Sequence, residues 1–137
     1  MISLVAAGWM LGASVDVAGQ MPDFTPPRPA VECAEHLTDW PARRSCLRDL
    51  LETAEAGLDS AVEAARAEAA ESDLDSGGHF DAAGHLERAQ TAWLAYRDAE
   101  CDRRTALMFI GADSREELGL DCRITLTRER TAELRDM

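Results

Sequence analysis

Apolar residues recur every three to four positions through one long stretch of this 137-residue chain. Because an α-helix has 3.6 residues per turn, this spacing places the apolar side chains on one face over about six turns. It predicts a long amphipathic helix that begins near Pro41, after the polar residue Asp39. The acidic stretch 68–75 could fray, so the helix is expected to end between that stretch and Ser76-Gly77-Gly78. The stripe comprises Leu47, Leu50, Leu51, Ala54, Leu58, Val62, Ala65 and Ala69.

Two further helices are predicted after the glycine pair. Helix two is expected over residues 80–110, and Gly111-Ala112-Asp113 breaks the pattern. Its inward stripe runs through Leu86, Gln90, Trp93, Arg97 and Cys101 to Leu107 or Met108. A capping-box sequence, Ser114 to Glu117, predicts the start of helix three, and Gly119 is expected to split off a first turn. The inward face of that helix comprises Leu120, Ile124, Thr127, Thr131 and Leu134. These patterns predict an all-α fold, an antiparallel bundle of about three helices.

The charge composition limits the kinds of partner. The formal net charge is −12, and all fourteen basic residues are arginine. This balance argues against nucleic acid as a partner, because it would repel phosphates. A strongly acidic surface favours solubility and attraction to cationic partners, although many acidic proteins have no such partner.

The first 32 residues are predicted to lie outside the folded domain. The apolar run from Ile2 to Val15 is too short to span a membrane, and Val17-Ala18-Gly19 resembles a small-x-small cleavage site. We therefore predict a signal peptide over 1–19, a proline-rich leader over 20–32 that is non-helical to about Ala30, and a domain over 33–137. The alternative is that the apolar run forms a helix inside the fold. Export implies a periplasmic or secreted protein.

Four cysteines, Cys33, Cys46, Cys101 and Cys122, are expected to form two disulfides in an exported chain. Three pairings are possible. We favour Cys33–Cys46 with Cys101–Cys122, because each of these pairs brackets one predicted turn. A zinc site that combines Cys33 and His36 with the later cysteines is disfavoured, since no Cys-x-x-Cys pair or regular His spacing supports it.

No motif of an enzyme is recognisable. The histidines, His36, His79 and His85, have no Ser or Cys partner in a nucleophile motif, and the cysteines are expected to be oxidised. A glycosidase would need two carboxylates across a sugar cleft, which a small helical bundle does not obviously offer. The sequence predicts a protein that is not an enzyme, with no cofactor and no metal.

The segment Gln90-x-x-Trp93-x-x-Tyr96-Arg97-x-x-x-Cys101, followed by Gly111, Cys122, Leu126-Thr127-x-x-Arg130 and Leu134, resembles the signature of the LprI-type lysozyme-inhibitor family. An upstream cysteine pair like Cys33 and Cys46 also belongs to that pattern. The chain departs from the family at Ala112-Asp113-Ser114, where a small polar stretch is usual, and in the absence of a basic start to its signal peptide. The resemblance covers roughly residues 33–134 and implies a small, exported, helical bacterial protein.

The resemblance implies mainly structural roles for the signature residues Gln90, Trp93, Tyr96, Arg97, Thr127 and Arg130. A guanidinium on an apolar stripe is costly to bury unless its donors are satisfied. We expect Arg97 to bond to Gln90, to carbonyls at the end of another helix, or to an acidic residue such as Glu100 or Glu129.

Two hypotheses of function follow. In the first, the protein is an exported, non-enzymatic inhibitor of a cationic lysozyme, the activity of the family's named member. In the alternative, it is a periplasmic or envelope structural or interaction protein with no lysozyme target. Turns project from a bundle, so the expected partner contacts are Gly77, Gly78 and His79 in one turn and Asp113 and Ser114 in the other.

Overall fold

The computed structural model describes residues 28–136, which form a bundle of helices and contain no strand. The order of elements is α1 (Pro29–Glu32), a 3₁₀ turn (Ala34–His36), α2 (Trp40–Asp75), α3 (Ala82–Ala106) and α4 (Ala112–Arg135). Helix α3 runs antiparallel to both α2 and α4, and α2 packs mainly against α4. The prediction of an all-α bundle is confirmed, with the short α1 added to the three long helices.

Helix α2 forms where the long apolar stripe predicts it. The side chain of Asp39 accepts a hydrogen bond from the backbone N–H of Ala42, 3.2 Å away, and Pro41 lies in the first turn. The acidic stretch remains helical to Asp75. The helix ends where Gly77 and Gly78 adopt positive φ angles of 64° and 76°, which favour glycine.

The N-terminus of α3 is capped by a residue of α2. The carboxylate of Asp73 accepts hydrogen bonds from the backbone N–H groups of Ala82, at 2.7 Å, and Ala83, at 3.0 Å. These bonds satisfy two of the donors that a helix leaves free at its start. Asp73 therefore holds the turn between α2 and α3 closed.

The predicted boundaries between helices two and three were wrong by several residues. Helix α3 ends at Ala106 instead of residue 110, and Leu107–Ile110 form an exposed connection to α4. The connection is therefore 107–111 instead of the predicted Gly111-Ala112-Asp113, and both lengths suit a reversal between antiparallel helices, for which about 2–5 residues are typical. Helix α4 starts at Ala112, two residues before the predicted capping box.

Gly119 does not interrupt α4, contrary to expectation. It is buried, and a Cβ at this position would lie 3.5 Å from Thr105 Cγ2 of α3 and 3.2 Å from the Arg123 guanidinium. The Thr105 distance is an ordinary van der Waals contact, and the nearer atom is the end of a flexible side chain, so the packing of α3 against α4 does not require glycine here. A helix continues through Gly119 because one interior glycine destabilises it by only about 1 kcal/mol relative to alanine.

The core consists of two apolar clusters along the α2–α4 interface. One contains Leu58, Ala61, Val62, Ala65 and Leu134, with Leu86 and Trp93 packed against it. The other contains Cys33, Leu47, Ala54 and Ile124, with Cys46, Leu50, Leu51 and Leu120 at its edge. Most of the predicted α2 stripe is thus buried.

The predicted disulfide pairing is confirmed. Cys33 bonds to Cys46 and Cys101 to Cys122, with S–S distances of 1.99 and 2.07 Å. The first bond ties the segment before α2 to its first turns. The second ties α3 to α4 on either side of the exposed connection.

The expected non-helical conformation is wrong at Pro29 and Ala30, which begin α1. Proline suits the first turn of a helix, and the Asp121 carboxylate accepts from the N–H of Ala30 at 3.0 Å. The signal peptide over 1–19 and residues 20–27 of the leader lie outside the described residues. No helix within 28–136 has the length and apolar character needed to cross a bilayer.

Candidate functional site

The guanidinium of Arg97 lies in the interior of the bundle and joins all three long helices. Its Nη1 donates to Thr127 Oγ1 on α4 and to Glu55 Oε1 on α2, each 3.1 Å away, and its Nε donates to Asp98 Oδ1. Thr127 is completely buried. Burial of the guanidinium is tolerated because a hydroxyl and two carboxylates accept from it.

The expectation that a carboxylate accepts from Arg97 is confirmed, but the residues are Glu55 and Asp98, not Glu100 or Glu129. Glu100 instead accepts from Arg103 and Arg104 on its own helix, and these two arginines lower the pKa of Glu100 to about 2. Gln90 accepts from Arg130 Nε at 3.3 Å. The third acceptor, Thr127, was among the signature residues. Its contact with Arg97 becomes visible only in the tertiary structure, where α4 packs against α3.

The remaining signature residues of α3 differ in their surroundings. Trp93 is half-buried, with its ring centroid 5.7 Å from the Arg97 guanidinium carbon. This distance is within the range of a cation–π contact. Tyr96 is exposed.

A groove of about 390 Å³ lies between α2 and α3. Its α2 wall carries the carboxylates of Glu55, Asp59 and Glu63, and its floor includes the polar residues Gln90 and Arg97. Leu58, Val62 and Leu94 supply apolar surface, and Arg66 completes the lining. The groove therefore combines carboxylates, buried hydrogen-bond donors and an apolar wall.

A second polar cluster, which the sequence analysis missed, surrounds Arg43 at the start of α2. Arg43 is buried, and its Nε and Nη2 donate to the two carboxylate oxygens of Glu117 at 2.8 and 2.7 Å. It also donates to the backbone carbonyls of Cys33 and Ala30. One signal was available, since Arg43 lies one helical turn before Leu47 on the apolar stripe.

Asp121, also missed, anchors the N-terminal segment to α4. Its buried carboxylate accepts from the N–H of Ala30 and from Arg28 Nη2, each at 3.0 Å. Together with the Arg43 cluster, it fastens α1 to the long helices. These contacts stabilise the fold and leave no open site for a ligand.

The two predicted contact turns lie at opposite ends of the bundle. Gly77, Gly78 and His79 connect α2 to α3, whereas Asp113 and Ser114 lie in the first turn of α4. All five residues are exposed. Helix α3 between them has 25 residues, a length of about 37 Å at 1.5 Å per residue. A single cleft in a partner can therefore receive only one of the two turns.

Each end of the bundle also exposes large apolar side chains. At the α3–α4 end these are Leu107, Met108, Ile110 and Phe109, which is fully exposed. At the α2–α3 end they are Leu74 and Phe80. The predicted burial of Leu107 or Met108 is wrong, because α3 ends before them at Ala106.

The negative charge is concentrated on α2. Residues 52–75 contain eight acidic residues and one arginine, Arg66. Arg66 donates to Glu87 of α3 at 2.6 Å and lowers the pKa of that carboxyl group. The outer face of α2 therefore presents mainly carboxylates to solvent, from the groove to the α2–α3 turn.

No group of three or more potential metal-binding side chains occurs within residues 28–136.

A family model described as "Lysozyme inhibitor LprI" matches residues 33–134. No match was found among curated proteins or among solved structures. The matched range contains both disulfides and nearly all of the three long helices.

Proposed function

The chain belongs to the LprI family of lysozyme inhibitors, and on this premise we propose that it is an exported, non-enzymatic inhibitor of a cationic lysozyme. The observation that carries the proposal is the family match over residues 33–134. Two disulfides support export, because such bonds persist in oxidising compartments outside the cytoplasm.

The charge distribution supports a cationic partner. Lysozymes are commonly basic, and the acidic outer face of α2 would attract such a protein over a distance of several ångströms. Electrostatic attraction of this kind accelerates encounter more than it strengthens the final complex. It weakens with salt, because the Debye length is only about 8 Å at physiological ionic strength.

An inhibitor must also obstruct the sugar cleft of the enzyme. We favour the α2–α3 turn, Gly77-Gly78-His79, as the inserting element, because it lies at the acidic end of the bundle. Apart from its own atoms and those of its two chain neighbours, neither glycine has an atom within 4 Å of where a Cβ would stand, so the turn is open on its outer side. Asp113 and Ser114 at the opposite end are the second candidate.

One observation favours the alternative of an envelope interaction protein without a lysozyme target. Leu107–Ile110 are four consecutive exposed apolar residues, and exposed apolar patches commonly mark sites of interaction.

Muramidase assays test the proposal. Purified protein, with disulfides intact, is added in excess to representatives of several lysozyme types, and lysis of cell-wall substrate is followed at low and at physiological salt. We expect inhibition of at least one type, with affinity falling as salt rises. Undiminished lysis by every type would reject the proposal and leave the alternative.

A further inference from the structure

We propose that the connection between α3 and α4 is a cleavage site for a protease that binds a large apolar side chain, and that the cleaved protein stays folded as two chains joined by a disulfide. The connection comprises residues 107–111, between the end of α3 at Ala106 and the start of α4 at Ala112. Hydrolysis adds one water across a peptide bond, which leaves a carboxylate on one residue and a free amine on the next. Three features carry the proposal: the accessible side chains of the connection, its unpaired backbone and the position of the Cys101–Cys122 disulfide.

The connection presents side chains that such a protease recognises. Phe109 is fully exposed, and Leu107 and Met108 are 64% and 44% exposed. Proteases of the chymotrypsin type bind the side chain that precedes the cleaved bond in a hydrophobic slot. Phe109 suits this slot best because its whole side chain is accessible. We therefore expect cleavage within the connection, chiefly between Phe109 and Ile110.

The backbone of the connection is free to enter a protease cleft. An extended peptide is recognised through main-chain hydrogen bonds, so its N–H groups must not be committed to other acceptors. The N–H groups of Phe109 and Ile110 form no backbone hydrogen bond among the described residues. The first four residues of α4, 112–115, are all exposed, and the N-cap Gly111 supplies no side-chain cap. This first turn can therefore open locally without the loss of a buried side-chain contact.

The α2–α3 turn also exposes a phenylalanine, but its backbone is held. Phe80 is 68% exposed. The N–H of Gly78 donates to the carbonyl oxygen of Asp73 at 2.6 Å, and the Asp73 carboxylate caps α3. Gly77, Gly78 and Asp81 have positive φ angles, unlike the extended backbone that a protease binds. Phe80 is thus an internal comparison, an exposed aromatic side chain on a backbone that cannot readily extend.

The Cys101–Cys122 disulfide encloses the connection and would hold the two products together. Cys101 precedes the connection and Cys122 follows it, whereas Cys33 and Cys46 both precede it. All residues from 106 to 115 are exposed, so cleavage removes no residue from the core. Both apolar clusters between α2 and α4 remain intact. The cleaved protein should therefore keep its helices and remain one covalent species until the disulfide is reduced.

Limited digestion of the intact, oxidised protein with chymotrypsin tests the proposal. Products are identified by mass under denaturing conditions, with and without reduction. Within residues 28–136 we expect the first cut in the connection, at least about tenfold faster than after Phe80, because exposed loop tips are the preferred sites of nicking. The two fragments should separate only after reduction, and the circular dichroism of the cleaved protein should match that of the parent. Equal or faster cleavage elsewhere within 28–136, separation without reduction, or loss of helix would overturn the proposal.

A triple variant and a matched control test the recognised side chains. The variant L107S/M108S/F109S removes them from the connection, and F80S removes the phenylalanine of the other turn. All four side chains are exposed, so both variants should melt like the parent. We expect the triple variant to be cleaved in the connection about tenfold more slowly than the parent, and F80S at the parent's rate. Undiminished cleavage of the triple variant, or equal slowing of F80S, would refute the proposal. Neither measurement uses a lysozyme, so its result is independent of the proposed function.

Discussion

Arg97 of α3 donates a hydrogen bond to the hydroxyl oxygen of Thr127 of α4, 3.1 Å away, in the interior of the bundle. The same Arg97 nitrogen also donates to Glu55 of α2. One guanidinium therefore fixes the rotation of three helices relative to one another. The stability of the fold therefore depends on the Thr127 hydroxyl and the Glu55 carboxylate that accept from Arg97.

Thr127→Val should lower the free energy of unfolding by about 1.5–3 kcal/mol, since it removes a buried acceptor from a charged donor while keeping the side chain's volume. Thr125→Val is the matched control, because the Thr125 hydroxyl bonds only to the carbonyl of Asp121 in its own helix. We expect Thr125→Val to lower the free energy of unfolding by less than about 1 kcal/mol. Urea denaturation measures both, and equal effects would contradict the role assigned to the Arg97–Thr127 bond.

Trp93→Ala should destabilise the protein by about 3 kcal/mol, at the lower end of the range for buried aromatic residues because Trp93 is half-buried. The variant also loses the ring that lies against Arg97. Partner binding should fall only as far as folding does. A variant that melts like the parent but no longer binds would show that Trp93 is a direct contact.

Loss of either disulfide should cost about 3 kcal/mol, because the bonds close loops with sequence separations of 13 and 21 residues. Paired Cys→Ser variants, C33S/C46S and C101S/C122S, are compared by thermal melting. Because the two loops are similar in size, the two variants should lose similar amounts of stability. Peptide mapping without reduction provides the check on connectivity, and crossed bridges or free thiols would refute the pairing.

Asp73→Asn should lower the melting temperature at neutral pH, because the carboxylate caps α3 through Ala82 and Ala83. These backbone hydrogen bonds hold the pKa of Asp73 below its ordinary value. The stabilisation is therefore complete above about pH 4 and is lost as the pH falls through the lowered pKa. Melting curves at several pH values should show the difference between parent and variant narrowing in acid. A constant difference would argue against the cap.

Export should remove the first 19 residues, as predicted from the apolar run and Val17-Ala18-Gly19. The mass of the protein recovered from periplasm or medium should correspond to a chain that begins at Gln20. A cytoplasmic product that begins at Met1 would contradict the predicted localisation. It would also remove the oxidising environment that the disulfides require.

The sequence was informative where structure follows from local spacing. The stripe from Leu47 to Ala69 has a helical period, and the structure places a 36-residue helix over it. The cysteine pairing could be anticipated because each pair brackets a turn. The end of α3 could not be placed as well, since Leu107–Ile110 continue the apolar composition of the helix beyond the point where the chain must reverse.

The candidate site was predicted less well than the fold. Gln90, Trp93 and Arg97 were identified by their unusual shared stripe. The groove that Gln90 and Arg97 line also includes Asp59 and Glu63 of α2, and no local pattern in the sequence distinguishes these two from other charges on the exposed face of a helix. Arg43 and Asp121 were overlooked because their partners lie 74 and 91 residues away in the chain.

By itself, the sequence determined that the chain forms long helices and where most of its apolar faces lie, because these depend on short-range periodicity. It favoured one of three cysteine pairings without determining it. Only the tertiary structure decided that Arg97 meets Thr127 and Glu55, that Arg43 meets Glu117, and that the two contact turns lie at opposite ends. The physical reason is that such contacts depend on the axial offset and rotation of one helix against another. Those are set jointly by packing, disulfides and polar contacts between segments distant in sequence.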